Sequence, residues 1–316
     1  MEQIKLTAKD GKQLAIYIWQ EVNNPLGVIQ LVHGSAEHAY RYNHFARFLN
    51  SQGWIVIGND LRGHGLTATN KAELGYFGAN IGWDMLVNDL KVVNDLIKTK
   101  YQSLPIVMLG HSMGSFLARH YSMLYSYTIQ ALILSGTAYP NKIKLWFARF
   151  VTKLITNKKN YDKPNQFIYN LSYKTFNYKI NEKNNEFAWL TRDKKIQQNF
   201  KEDPLTGQVF TTSAFGEMFY GLDYICHKKN IIKTRFDLPI FLIAGLNDPV
   251  GNLGKEVRKI AKKYRAYGLN DVRLKLYAGM RHEILNEIGK EQVYDDVLNF
   301  INNINKKHTG VWNETN

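Results

Sequence analysis

Short apolar runs alternate with longer helical patterns along most of the chain. Pro239–Ala244 and Val272–Tyr277 are predicted strands, and four other apolar runs fit strands buried on both faces of a parallel sheet; they are Val28–Val32, Ile55–Gly58, Ile106–Leu109 and Ala131–Leu134. Between two of them, Trp83–Lys98 repeats apolar residues every three or four positions, which predicts a helix with one apolar face. This alternation predicts an α/β fold, with a mostly parallel central sheet and helices on both faces.

The two ends of the chain extend this pattern. Ile4–Ala8 and Gln13–Trp19 flank the turn dipeptide Asp10-Gly11, so we predict an N-terminal hairpin. Near the C-terminus, helices are predicted over Gly254–Tyr264 and Gln292–Ile304.

The alternation stops between residues 137 and 236. This third of the chain holds 18 Lys and Arg against 8 Asp and Glu, a net charge of +10, and 19 of the 41 aromatic residues. It has helical stretches but few strand signals. We therefore predict a core domain made of residues 1–136 and 237–316, with residues 137–236 inserted as a helical cap, or lid, subdomain.

Composition excludes several classes of protein. The chain has 316 residues, 45% hydrophobic and 22% charged, with a single cysteine, Cys226. One cysteine excludes a disulfide framework and a multi-cysteine zinc site. No apolar run is long enough for a transmembrane helix, and the charged N-terminus does not resemble a secretory signal. A reducing, cytoplasmic location is expected, and peripheral contact with a membrane stays open.

A serine nucleophile is predicted at Ser112. Gly110-His111-Ser112-Met113-Gly114 matches the Gly-x-Ser-x-Gly elbow, with a predicted strand before it and a predicted helix, Ser115–Tyr125, after it. Such a strand-to-helix turn holds the serine in a strained conformation that needs small neighbours. The alternative, an N-capping loop serine, explains fewer of these features.

A serine hydroxyl needs a base, and the base needs an orienting group. Asp248 and His282 each follow a predicted strand, at the edge where open α/β sheets place their sites, and the order Ser112, Asp248, His282 is the one expected for this type of site. Asp237 and Asp271 precede strands, at the wrong edge. The sequence therefore predicts a catalytic triad.

Acyl transfer also needs donors for an oxyanion. We predict the backbone N–H groups of Met113, directly after the nucleophile, and of Ser35, in the turn after Val28–Val32. His33 and His38 in the same turn are expected to shape the loop rather than to act in catalysis. The histidines show no metal-binding spacing such as HExxH, so neither a metal nor a cofactor is expected.

Four segments resemble the α/β-hydrolase superfamily, and within it the monoacylglycerol lipase and lysophospholipase group, also classed with serine aminopeptidase-like hydrolases. They are HGSAEHAYRY, NDLRGHGLT, GHSMGS and AGMRHEILNE, and the segment Phe187–Thr211 resembles the insertion of bacterial members. The resemblance implies Ser112 as nucleophile, His282 as base, Asp248 as orienting residue and an oxyanion hole at Ser35 and Met113. It also implies a cap over an acyl-chain pocket. Ala36 departs from it, standing where the family often has glycine.

The leading hypothesis is a serine carboxylester hydrolase that cleaves a single-chain lipid ester, a monoacylglycerol or a lysophospholipid, through an acyl-enzyme. A serine aminopeptidase-like peptidase and a non-catalytic ligand-binding protein on the same scaffold are the alternatives. No nucleic-acid motif is present, and the oligomeric state is left open. The basic cap suggests contact with an anionic membrane, through a stripe that includes Trp146, Phe147, Phe150 and Leu154. That stripe could instead pack onto the cap.

Overall fold

The computed structural model describes residues 1–78, 81–180, 182 and 185–309. Its strands are β1 (Glu2–Thr7), β2 (Gln13–Trp19), β3 (Gly27–Val32), β4 (Trp54–Asn59), β5 (Ile106–His111), β6 (Ala131–Ser135), β7 (Ile240–Gly245) and β8 (Val272–Tyr277). Its helices are α1 (Asn43–Ser51), α2 (Gly82–Lys100), α3 (Met113–Tyr125), α4 (Lys142–Ile155), α5 (Gln166–Ser172), α6 (Lys194–Glu202), α7 (Thr212–Tyr224), α8 (Lys228–Ile231), α9 (Lys255–Ala266) and α10 (Lys290–Thr309).

The strands of the described residues form one sheet in the order β1-β2-β4-β3-β5-β6-β7-β8. The hairpin β1–β2 joins it antiparallel to β4, and every pairing from β4 to β8 is parallel. The predicted mostly parallel α/β sheet is therefore confirmed. The carboxyl ends of β3, β5, β7 and β8 lie along one edge of the sheet, and the predicted site residues are in the segments that follow these strands.

Helices cover both faces of the sheet. Apolar residues of α2, α3 and α9 pack on one face, and those of α1 and α10 pack on the other. Within β3, Val28 and Val32 contribute to the first cluster, whereas Ile29 and Leu31 contribute to the second. This alternation is why β3 is an almost unbroken apolar run in the sequence, whereas the edge strand β8 alternates apolar residues with Arg273 and Lys275.

Two details of the predicted helices differ in the structure. The helix after Ser112 begins at Met113, two residues earlier than predicted, because the turn at Ser112 leads directly into it. Helix α1 was not predicted.

The chain between β6 and β7 forms α4 to α8. Phe215, Met218 and Phe219 of α7 belong to the same apolar cluster as α2 and α3, so the inserted helices pack directly onto the sheet's helical layer. Arg119 of α3 is fully buried and donates to the carbonyl oxygens of Ala138 and Ile225, one near each end of the insertion. The boundaries at residues 137 and 236 stay a prediction.

Helix α4 exposes its aromatic stripe. Leu145 and Thr152 are buried, whereas Trp146, Phe147 and Leu154 are 65%, 58% and 68% exposed. The alternative in which this stripe packs onto the cap is therefore wrong. None of the helices within the described residues is both long and apolar enough to span a membrane.

Candidate active site

Ser112 occupies a sharp turn between β5 and α3. Its backbone has φ 51° and ψ −121°, a conformation that non-glycine residues rarely adopt and that costs about 1–3 kcal/mol. The surroundings hold it in place: its N–H donates to the Ser135 carbonyl at 2.9 Å, and its carbonyl accepts from the Ser115 hydroxyl at 2.6 Å. The strained elbow predicted from the sequence is confirmed.

Glycines allow the strand β3 and its following turn to approach this elbow closely. A Cβ atom on Gly114 would lie 2.3 Å from the Val32 carbonyl oxygen, and one on Gly34 would lie 3.1 Å from the Ser112 Cβ. Any side chain at Gly114 would therefore displace backbone. The turn that carries Ser35 consequently lies against the nucleophile's turn.

Asp248 and His282 are joined by a hydrogen bond. His282 Nδ1 lies 3.0 Å from Asp248 Oδ2, and both residues are buried. The other carboxylate oxygen, Oδ1, accepts from the Val250 N–H at 2.8 Å, and the loops are tied where the Asn247 N–H donates to the Met280 carbonyl. Because Asp248 accepts the Nδ1 proton, a neutral His282 keeps its free lone pair on Nε2.

The environment of His282 sets its protonation. Burial alone lowers the pKa of His282, but the charge and hydrogen bond of Asp248 outweigh it, and Glu283 and Glu37 add to them, so its pKa is raised. Its Nε2 is buried without a hydrogen-bond partner among the described residues. Ser112 lines the same cavity as His282, yet no hydrogen bond joins Ser112 Oγ to Nε2 in the described structure. Such bonds often tighten only when substrate binds.

The turn after β3 is shaped by a buried carboxylate. Glu37 Oε1 accepts from the Gly34 N–H at 2.5 Å and from the Tyr42 hydroxyl at 2.9 Å. Within the part of the chain that the structure describes, the N–H groups of Ser35 and Met113 donate to no backbone or side-chain acceptor. Both are therefore available to a ligand, as an oxyanion hole requires.

Ala36 keeps a glycine-like conformation in this turn, with φ 54°. An alanine in the left-handed conformation lowers the stability of the folded state by about 1–2 kcal/mol. Glycine removes that cost, but its freer backbone also stabilises the unfolded chain, by about 0.4–1 kcal/mol. We expect Ala36→Gly to raise the free energy of unfolding by about 0.5 kcal/mol, measured by urea denaturation. Ala72→Gly is the control, because Ala72 is exposed and has no positive φ, and this change should not raise the free energy of unfolding. Equal effects of the two changes on that free energy would contradict backbone strain at Ala36.

Arg41, Glu37 and Glu283 form a buried charged group that sequence reasoning missed. Arg41 donates to Glu283 through both terminal nitrogens, at 2.8 and 2.7 Å, and also to Glu37. Burial raises the pKa of Glu37 despite the neighbouring guanidinium. The group links the turn after β3 to the residue following His282. Its only sequence signal is the presence of charged residues in two segments at the same edge of the sheet.

His33 and His38 take the loop-shaping roles predicted for them. His33 is buried, with Nδ1 at 2.8 Å from the Gly34 carbonyl and Nε2 accepting from the Leu61 N–H at 2.9 Å; burial lowers its pKa well below the usual value. His38 Nε2 lies 2.8 Å from Asp203 Oδ2. The His111 ring lies tilted beside the His282 ring, with ring centroids 4.7 Å apart, and burial lowers the pKa of His111 as well.

Two cavities meet at Ser112. The narrower, about 30 Å³, contains His282, Glu37, Glu283 and Gln208 among its lining residues. The wider, about 210 Å³, is lined mainly by apolar side chains from α3 and the inserted helices, including Phe116, Phe176, Met218, Phe219 and Leu222. Ser35, Ser112, Tyr173 and Trp189 line both.

Tyr173, from the inserted segment, donates to the Ser35 hydroxyl at 3.0 Å and lies between the cavities. Burial raises the pKa of Tyr173 to about 12, so its hydroxyl stays protonated at neutral pH. In the described part of the chain, no group of three or more His, Cys, Asp and Glu side chains is arranged to hold a metal ion.

The chain is similar to known hydrolases over most of its length. Residues 23–289 match a model of the family described as serine aminopeptidase, S33. A monoacylglycerol lipase of Mycolicibacterium smegmatis is 25% identical over 92% of this chain and 93% of its own. A monoglyceride lipase of Mus musculus is 24% identical over 94% of this chain and 88% of its own. Among solved structures, a carboxyl esterase from Bacillus coagulans in complex with glycerol superimposes with a TM-score of 0.89, at 27% identity over 96% of this chain and 98% of that one.

Proposed function

Because the chain belongs to the serine aminopeptidase S33 family, in the monoacylglycerol lipase-like group of α/β-hydrolases, and is a hydrolase of the lipase and esterase type, we propose that it cleaves single-chain lipid esters with Ser112 as nucleophile. The observation that carries the proposal is His282 Nε2, buried, without a partner among the described residues, and lining the same cavity as Ser112. With Nδ1 held by Asp248, this nitrogen has the lone pair that a general base needs.

The proposed reaction proceeds in two halves. Ser112 Oγ attacks the ester carbonyl carbon while His282 Nε2 takes its proton, and the Ser35 and Met113 N–H groups stabilise the oxyanion. The tetrahedral intermediate collapses as the carbon–oxygen bond to the alcohol breaks and His282 returns the proton to that oxygen. Water, deprotonated by His282, then attacks the acyl carbon; the bond to Ser112 Oγ breaks, His282 returns the proton to Oγ, and the fatty acid leaves.

The wider cavity suits an acyl chain. Its lining is largely apolar, and burial of apolar surface is worth about 25 cal/mol per Å². Monoacylglycerols are the substrates we favour, and lysophospholipids are a second possibility. The similar Bacillus coagulans esterase was solved with glycerol, the alcohol that monoacylglycerol hydrolysis would release.

The aminopeptidase alternative requires an acidic group free to bind a substrate ammonium. The carboxylates that line the narrower cavity, Glu37 and Glu283, are both engaged by Arg41. A panel of monoacylglycerols, lysophospholipids, p-nitrophenyl esters and aminoacyl p-nitroanilides separates these activities, and fluorophosphonate labelling separates an enzyme from a non-catalytic binding protein. Turnover of the anilides alone, or no labelling, would overturn the proposal.

We also propose that α4 docks on an anionic membrane. Lys142, Lys144 and Lys153 on α4, and Lys158 and Lys159 after it, are exposed beside the apolar stripe. Basic residues near an anionic surface contribute about 1 kcal/mol each, and the exposed aromatic rings add apolar burial. A lipase has to draw its substrate from such a surface.

Changing Trp146, Phe147 and Leu154 together to serine should reduce binding to anionic vesicles by roughly 10-fold, because the apolar burial is lost.

Changing the five lysines to glutamate should abolish the preference for anionic over zwitterionic vesicles, and wild-type binding should weaken near 1 M salt, where the Debye length is about 3 Å. Vesicle sedimentation measures both. Exposed apolar residues outside the inserted segment, Leu124 and Tyr127, changed to serine are the matched control. Wild-type binding by both cap variants would contradict the docking role.

A further inference from the structure

Gln208 carries a buried amide without partners. Neither its Nε2 nor its Oε1 makes a hydrogen bond to any described residue, although both atoms are buried. The side chain lines the narrower cavity together with Ser112 and His282. A buried polar group that lacks hydrogen-bond partners lowers the stability of the fold. The free donor and acceptor of this amide therefore point to a ligand in the cavity that offers an acceptor and a donor in return.

The reaction chemistry assigns that cavity to the leaving alcohol, an assignment that rests on the proposed function. His282 has to protonate the departing oxygen, and His282 lines the narrower cavity but not the wider one. The alcohol part of the substrate therefore lies on the Gln208 side of Ser112. The acyl part lies on the other side, towards the apolar lining and Met113.

Gln208 is held in position before any substrate binds. The neighbouring Gly207 N–H donates to the Ala36 carbonyl at 2.9 Å, which ties this segment to the turn that carries Ser35. The pair of Asp203 and His38, at 2.8 Å, fixes the segment on one side, and the Thr211 N–H bond to the Gly75 carbonyl, at 3.0 Å, fixes it on the other. These bonds fix the backbone from which the Gln208 side chain extends, so ligand binding has to order only that side chain.

The charges around the cavity favour a neutral alcohol. Glu37 and Glu283 line it, whereas no lysine or arginine is among its described lining residues. Both carboxylates share the single guanidinium of Arg41. A phosphate placed here would meet like charge in a site with little water, and it would lack the cationic partners that phosphates use.

We propose that the Gln208 amide binds a free hydroxyl of a neutral polyol leaving group, donating from Nε2 and accepting at Oε1, and so selects polyol esters over phosphate-bearing ones. A hydroxyl is both a donor and an acceptor, which matches the amide.

The test compares esters of one acyl chain with different alcohols: methanol, ethylene glycol, glycerol and glycerophosphocholine. For the wild type, kcat/KM should rise from the methyl ester to the glycol and glycerol esters and should be lowest for the phosphate-bearing ester. Gln208→Met, which keeps the length but removes both hydrogen-bonding atoms, should lower kcat/KM for the glycerol ester roughly 10-fold and leave the methyl ester within twofold. Gln198→Leu, at an exposed position on α6, is the matched control and should leave the series unchanged.

Each result bears on the proposal. A wild type that does not distinguish methyl from glycerol esters would overturn it without use of any variant. Equal changes on all esters in Gln208→Met, with an unchanged melting temperature, would also overturn it. If that variant is unfolded, Gln208→Leu, which also removes both hydrogen-bonding atoms, replaces it with the same expectation. A wild type that cleaves none of these esters would instead refute the proposed ester hydrolysis itself.

Discussion

Replacing Ser112 with alanine is expected to lower kcat for ester hydrolysis by about 10⁵-fold and to abolish fluorophosphonate labelling. The acyl-enzyme cannot form without the hydroxyl, and only binding and oxyanion stabilisation remain. The fold should be retained, because alanine can occupy the same turn with a shorter side chain. Initial rates on a p-nitrophenyl ester, with thermal unfolding measured in parallel, check both expectations.

Ser51→Ala is the control for this change. Ser51 is exposed at the end of α1, so its substitution should leave both rate and labelling unchanged. Wild-type turnover in a folded Ser112→Ala protein would refute the assignment of the nucleophile.

Asp248→Asn is expected to lower kcat/KM by about 10³- to 10⁴-fold. Asparagine can donate to Nδ1 and so favours the tautomer in which the Nε2 lone pair is lost, and it removes the charge that stabilises the imidazolium. Asp237→Asn is the matched control, because Asp237 is exposed before β7, at the opposite edge of the sheet. Retention of more than a tenth of wild-type activity by Asp248→Asn would remove Asp248 from the mechanism.

The pH profile gives this variant a second readout. His282 must be neutral to accept a proton, so kcat/KM should rise with pH and reach a plateau, with a midpoint above about 6.5, the ordinary value for histidine. The midpoint lies on that side because the charge and hydrogen bond of Asp248, together with the charges of Glu283 and Glu37, outweigh burial and raise the pKa of His282. In Asp248→Asn that charge is gone, and the midpoint should move to lower pH. A midpoint that does not move would contradict the pairing as the cause.

The parts of the site that follow strands could be predicted from the sequence. Ser112, Asp248 and His282 each follow a predicted strand within five residues, and the ends of parallel strands meet at one edge of the sheet, so periodicity and order already predicted that they lie close together. The strain at Ser112 could be predicted for a similar reason, because the glycines that a tight turn needs flank it.

The parts contributed by the insertion could not be predicted in this way. Tyr173 and Gln208 reach the site through the packing of irregular segments and short helices, and no periodicity reports how such segments fold back. Gln208 is one of many polar residues in a segment rich in them. Only its buried, unpartnered amide distinguishes it, and burial there depends on contacts far apart in the chain.

The buried Arg119 has a consequence for how substrate reaches Ser112. Its guanidinium binds the carbonyl oxygens of Ala138 and Ile225, and its Nε donates to the Tyr264 hydroxyl at 2.9 Å. Swinging the inserted helices outward as one rigid lid would strip a buried cation of its acceptors, which costs several kcal/mol. We therefore expect the two roots of the insertion to stay fixed, and access to Ser112 to open by local displacement of α5, whose Tyr169 and Ser172 line the two cavities.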